Sequence, residues 1–114
     1  MTDLTTLSIA DAGRRMALGE FSSTTLTEAF LARIAAIDGK LSSYITVTTD
    51  RARAAAAQAD LERSRGYSRG PLHGIPVALK DIYETEGVLT TGHSHLRADY
   101  VPTVDAETVR LLKA

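Results

Sequence analysis

Gly70-Pro71-Leu72-His73-Gly74-Ile75-Pro76-Val77-Ala78-Leu79-Lys80-Asp81 is the stretch on which the reading of this chain turns. Its second half, residues 75–80, is predicted as a strand. Side chains alternate along a strand, so Ile75, Val77 and Leu79 share one face while Pro76, Ala78 and Lys80 share the other. Pro76 has no N–H to give a ladder, which favours a strand start or an edge. Lys80 then closes an otherwise apolar run, and the residues alone leave two readings open. In one, its ammonium snorkels to water beside Asp81. In the other, desolvation brings the amine toward the range where it serves as a base. His73 is expected to be structural, bonding the loop that feeds the strand.

Upstream, the chain reads as helices punctuated by glycines. Ser8-Ile9-Ala10-Asp11 has the spacing of a capping box, and Gly19 is a plausible stop, which predicts a helix over about 8–18. Thr25-Leu26-Thr27-Glu28 repeats the signal. Leu26, Phe30, Ile34 and Ile37 then recur at three- and four-residue steps, predicting a helix over about 25–38 closed by Gly39. Tyr44-Ile45-Thr46-Val47-Thr48 is β-branched and aromatic and predicts a strand over 44–48. Thr49 or Asp50 caps a third helix over about 50–65, ended by Gly66. Its run Ala54–Ala57 reflects helix propensity and close packing. Downstream of Asp81 no helical stripe appears until Asp105, where a helix over 105–114 begins with Val109, Leu111 and Leu112 on its apolar face. The Asp105 carboxylate is expected to accept from the first free amides of that helix. The chain stops at Lys113-Ala114 without a closing glycine, which reads as a continuing chain that has been cut.

Composition narrows the classes. With 114 residues, 44% apolar and 24% charged, the chain suits one soluble globular unit. A formal net charge of −1 gives no reason to expect nucleic acid or an anionic membrane as partner. No apolar run exceeds four residues, so no membrane span is expected. The start, Met1 to Thr6, lacks a secretory signal. Without cysteine there is no disulfide and no thiolate metal site, and a cytoplasmic setting is the default. Aromatic residues are only 5%, thin for a self-sufficient core.

The stretch Gly70–Asp81, followed by Gly87-Val88-Leu89-Thr90-Thr91-Gly92-His93-Ser94, closely resembles the amidase signature family, and the flanking elements match its N-terminal region. The resemblance implies an α/β fold with helices packed on a mixed central sheet, of which residues 1–114 would form the N-terminal part. It also implies carboxamide hydrolysis by a Ser–cis-Ser–Lys triad through an acyl-enzyme, with Lys80 as the general base, a small-molecule amide as substrate and no cofactor or metal. The triad's two serines belong to a Gly- and Ser-rich segment that these residues lack. The Ser-Ser pairs here, Ser22-Ser23 and Ser42-Ser43, have no glycine neighbours and read as caps and turns. Lys80 is therefore the single catalytic residue carried over, and these residues alone are expected to be inactive.

Ile82-Tyr83-Glu84 and Gly92-His93-Ser94 depart from the pattern of many relatives, which bears on substrate choice and leans the reading toward a free-standing amidase. The alternatives are a glutaminase-type A subunit of a tRNA-dependent amidotransferase, with partner subunits and tRNA-linked chemistry, and a non-catalytic interaction or assembly module. In that last reading the apolar end at Val109–Ala114 meets a partner or a second copy, as in a homodimer. His93-Ser94-His95 with Asp99 offers the residue types of a metal site or a local Ser-His-Asp triad. Neighbours in an extended segment point apart, however, and a third zinc ligand is missing, so a solvated loop is expected. Arg51, Arg53, Arg63, Arg65 and Arg69, balanced by Asp50, Asp60 and Glu62, read as a solvated face.

Overall fold

Serine hydroxyls start the first two helices. In the computed structural model, which describes residues 3–114, α1 spans Ile9–Ala17 and α2 spans Ser23–Leu41. The Ser8 hydroxyl accepts from the Asp11 amide and donates to the Asp11 carboxylate, so two otherwise orphaned polar groups satisfy each other. At the far end of α1, Gly19 N–H donates to the Met16 carbonyl and Glu20 N–H to the Arg15 carbonyl, a Schellman closure.

The chain divides into two compact units, one of Met1–Ser43 with Thr48–Pro76, the other of Tyr44–Val47 with Val77–Ala114. The first unit holds α1, α2 and α3, the last spanning Thr49–Ser64, with a 3₁₀ turn at Leu4–Thr6 packed on α2. Its core joins Ala12 and Met16 of α1 to Leu26 of α2, with Leu4, Leu7, Phe21, Phe30 and Ile75 around them. Met16 and Leu26 are fully buried. Each such side chain contributes about 1.5–3 kcal/mol. Ala56 and Ala59 present the buried face of α3. Their spacing places them on one side of the helix, and their size lets α2 and α3 approach closely.

Several expectations need correction here. Helix α2 begins at Ser23, earlier than the expected 25, because Ser22 caps it and a carboxylate from α3 takes two of its first amides. It also runs through Gly39 to Leu41. Ser42 adopts the left-handed conformation that closes it, with its amide on the Asp38 carbonyl and the Ser43 amide on the Asp38 carboxylate. The cap position of α3 is Thr48 rather than Thr49 or Asp50, and it makes no side-chain cap bond.

The second unit is mostly turns. Glu107–Lys113 forms α4, whose Val109 is buried while Leu111 and Leu112 stay exposed. Asp105 does not cap α4 as expected. One of its oxygens accepts from the Glu86 amide at 2.8 Å and the other from the Lys113 ammonium at 2.6 Å. Backbone bonds from Gly87 to Pro102, Thr90 to Tyr100 and Ala106 to Glu84 hold the turns together.

The strands expected at 44–48 and 75–80 are not formed. Among the described residues the β pairing consists of an isolated bridge between Thr85 and Val88, so the structure is helical and the expected mixed sheet is not seen. The physical reason is partnership. β-branched residues favour extended backbone, but a strand exists only where a neighbour takes its N–H and C=O groups. Val77 and Leu79 are 54% and 38% exposed, with no ladder on either side. No helix among the described residues is long and apolar enough to cross a membrane.

Candidate active site

The signature stretch is shared between the two units, Gly70–Pro76 falling in the first and Val77–Asp81 in the second. In the first, His73 fastens the loop to α3. Its ring is almost wholly buried, Nε2 lies 3.0 Å from the Ala59 carbonyl, and Nδ1 accepts from the Arg69 amide at 3.2 Å. A carbonyl only accepts and an amide only donates, so the ring carries its proton on Nε2. Arg63 adds a bond to the His73 carbonyl.

The next residue brings the loop against α2. Ser23 Oγ donates to the Gly74 carbonyl at 2.6 Å, while Ser23 N–H, Thr24 N–H and Thr24 Oγ1 all donate to the Asp60 carboxylate. Burial pushes the Asp60 carboxyl up, but the Thr24 hydroxyl, the two amides and the nearby Arg63 charge outweigh it and leave it below its ordinary value. Asp60 is therefore a helix cap delivered from another helix, not part of a solvated charge face. Arg53 pairs with Glu28, and Arg69 with Glu62. The Arg69 guanidinium and the Gln58 amide hold the Glu62 carboxyl down at about 2. The Ser23 hydroxyl, committed to Gly74 and buried, and the Ser22 hydroxyl, committed to the α2 cap, are both engaged in structure.

In the second unit, Lys80 closes the extended segment and opens a turn, its carbonyl accepting from the Tyr83 amide at 3.1 Å. Lys80 is exposed, and its ammonium makes no hydrogen bond or ion pair with any other described residue. Of the two readings the sequence left open, the structure adopts the one in which Lys80 reaches water, though without an ion pair to Asp81, and it does not bury the amine. Asp81 Oδ1 accepts from Thr91 N–H at 2.8 Å, Oδ2 accepts from the Thr91 hydroxyl, and the Asp81 carbonyl accepts from Gly92 N–H at 2.7 Å. The Thr91 hydroxyl and the Thr91 amide, helped by the amides of His93 and Gly92, hold the Asp81 carboxyl below its ordinary value against the opposing effect of burial.

Gly92 and His93 have φ of 56° and 59°, and Ser94 N–H donates to the Thr91 carbonyl at 3.0 Å, the geometry of a type I′ turn. This turn ends the second signature block, Gly87–Ser94, and Asp81 ties the first block to it. Sequence reasoning missed that link. Its one signal was the presence of an acid in one block and a Thr-Thr-Gly turn in the other.

A depression of about 300 Å³ is lined by Asp81, Thr91, Ser94, Leu96 and Arg97 among others. Its charges are already matched, since Asp81 is held by Thr91 while Arg97 pairs with Glu84 and lies over the Tyr100 ring. His93, Ser94, His95 and Asp99 do not assemble a site. The Ser94 hydroxyl accepts from Leu96 N–H at the start of a 3₁₀ turn over His95–Arg97. Among the described residues no three His, Cys, Asp or Glu side chains gather closely enough to hold a metal ion.

Known proteins resemble this chain over nearly its whole length. It is 47% identical over 112 residues to the A subunit of the glutamyl-tRNA(Gln) amidotransferase of Anaeromyxobacter sp. (strain K), covering 98% of this chain and 23% of that one. The native peptide amidase of Stenotrophomonas maltophilia superposes with a TM-score of 0.88 at 41% identity, over 95% of this chain and 22% of the other. A vestigial protein complex that reveals the evolutionary origins of an s-triazine catabolic enzyme gives a TM-score of 0.87 at 34% identity, over 94% of this chain and 24% of the other. This chain thus spans less than a quarter of the length of these relatives. The amidase family model matches residues 25–114, taking in most of α2, α3, Lys80, the Asp81–Thr91 link and α4, and the chain belongs to the amidase family.

Proposed function

We propose that this chain supplies the lysine-bearing segment of an amidase that hydrolyses a carboxamide to a carboxylate and ammonia or an amine, with Lys80 as general base. The observation that carries the reading is the state of Lys80. This lysine lies in the matched signature stretch, it is open to solvent, and it has no carboxylate partner among the described residues because its neighbour Asp81 is bound elsewhere. The nucleophilic and bridging serines come from chain outside these 114 residues, since the Ser-Ser pairs here lack glycine neighbours.

In this reading the neutral Lys80 amine takes the bridging serine's proton as that serine takes one from the nucleophile. The nucleophile's oxygen bonds to the amide carbon, and the C–N bond breaks as the returned proton leaves with the amine. Water then attacks the acyl-enzyme, freeing the carboxylate and restoring the serine. The segments at 44–48 and 75–80, which form no ladder here, become strands of a mixed sheet once neighbouring strands take their backbone groups. The setting is cytoplasmic, and no cofactor enters the chemistry.

In the full enzyme, Lys80→Ala should lower kcat/KM for ammonia release from a carboxamide by about 10²–10⁴-fold, the range for loss of a positioned base. Far-UV circular dichroism should stay unchanged. A variant that hydrolyses within about twofold of the parent overturns the assignment. The 47% identity to an amidotransferase A subunit favours a second reading, in which the amide is glutamine and the ammonia passes on within a complex. Copurification with partner subunits, together with glutamine-dependent ammonia release, selects that reading over a free-standing amidase.

A further inference from the structure

The Asp81 side chain has a natural partner one residue away that it does not use. Consecutive Lys and Asp at an exposed chain reversal can pair at little conformational cost, and such a pair would hold the Lys80 amine as an ammonium. Both Asp81 oxygens are instead directed to Thr91, ten residues downstream, by an N–H at 2.8 Å and by the hydroxyl. Gly92 N–H reaches the Asp81 carbonyl at 2.7 Å, and within the turn the Thr91 hydroxyl accepts from His93 N–H at 3.0 Å. Three bonds thus join the residue after Lys80 to one type I′ turn.

We propose that Asp81 is a positioning residue for Lys80: by committing both carboxylate oxygens to Thr91, it fixes the turn that follows Lys80 and leaves the Lys80 amine unpaired. The proposal rests on the reading of Lys80 as a general base and deepens it. The Thr91 hydroxyl acts as the switch in this arrangement. Where it is absent, Asp81 Oδ2 loses a donor and becomes free to turn back to the neighbouring ammonium. The lowered Asp81 carboxyl agrees with a carboxylate that stays ionised and fully bonded.

The test reads the amine itself rather than turnover. The 114-residue chain is treated with a trace of isotopically labelled acetic anhydride at mildly alkaline pH, and the acetylation rate of Lys80 is followed by peptide mass spectrometry. Thr91→Val should slow that rate by about two- to fivefold, the effect of a newly formed exposed ion pair. Thr91→Ser, which keeps the hydroxyl, should match the parent. Adding Asp81→Asn to Thr91→Val should restore the parental rate, because the freed group then carries no charge. A loss of fold would leave helical ellipticity reduced, and the double variant would then not separate from Thr91→Val.

Asp81→Asn alone supplies an independent measurement, since its amide can still bond Thr91. It should leave the Lys80 rate unchanged. A two- to fivefold acceleration, of about the size an exposed ion pair gives, would show that Asp81 pairs with Lys80 in solution and would overturn the proposal. An unchanged rate in Thr91→Val would overturn it too. Failure of the amidase reading appears separately, as full turnover in Lys80→Ala.

Discussion

Gly74 packs the signature loop against α2, and a single added carbon is felt there. Its φ is 77°, and a Cβ placed on it would lie 3.0 Å from Ser23 Cβ and 3.1 Å from Ser23 Oγ. Ser23 cannot move away freely, because its hydroxyl is bonded to the Gly74 carbonyl and its amide to Asp60. Gly74→Ala should therefore destabilise the first unit by about 1–3 kcal/mol, combining left-handed strain with crowding, as read from a urea unfolding midpoint. An unchanged midpoint would mean that the loop relaxes without cost. At this scale the sequence spoke unevenly. The structural role expected for His73 follows from a ring placed between a turn and a helix, and the ring does hold that loop. The partner of Asp81 was not legible, because the nearest charge in sequence is Lys80 while the better set of donors lies in a turn that forms only on folding.

Helix α2 shows how local signals and distant groups divide the control of an element. Its apolar stripe and its serine cap are local, and they account for its existence and direction. Its start is shared between that cap and Asp60, which is 37 residues away from Ser23 and accepts from the Ser23 and Thr24 amides. Asp60→Ala should cost about 1–2 kcal/mol, the usual penalty for losing a capping carboxylate. Asp60→Asn should recover part of that, since an amide oxygen still accepts. Amide exchange at Ser23 and Thr24 would show the loss directly, and protection equal to the parent's would refute the capping role. The ends of α1 were readable because Ser8, Asp11 and Gly19 lie within the element or beside it. The strands expected at 44–48 and 75–80 are not formed here for the opposite reason, since the partners such segments need are set by tertiary structure.

The Asp60, Glu62 and Asp81 carboxyls are all shifted the same way, and this sets the response to acid. Glu62 is held at about 2 against an ordinary 4.5, and Asp60 and Asp81 also lie below their ordinary value. A carboxyl lowered on folding binds fewer protons in the native state than in the unfolded one. Its stabilising contribution is complete above the unfolded value and disappears as pH falls through the folded value. The thermal midpoint should therefore hold down to about pH 5 and decline steadily toward about pH 2. Glu62→Gln should start from a slightly lower midpoint at neutral pH and decline less steeply, because Arg69 has lost its charged partner. Parallel profiles for parent and variant would contradict this assignment. What the sequence determined by itself was the set of helices and the family-bearing stretch around Lys80, since periodicity, caps and contiguous motif residues act over one or two turns. Tertiary structure alone decided that Asp60 joins Ser22 in capping α2, which donors Asp81 takes and that residues 75–80 form no strand. Each of those outcomes depends on hydrogen-bond partners that become neighbours only after the chain has folded, and no local pattern encodes them.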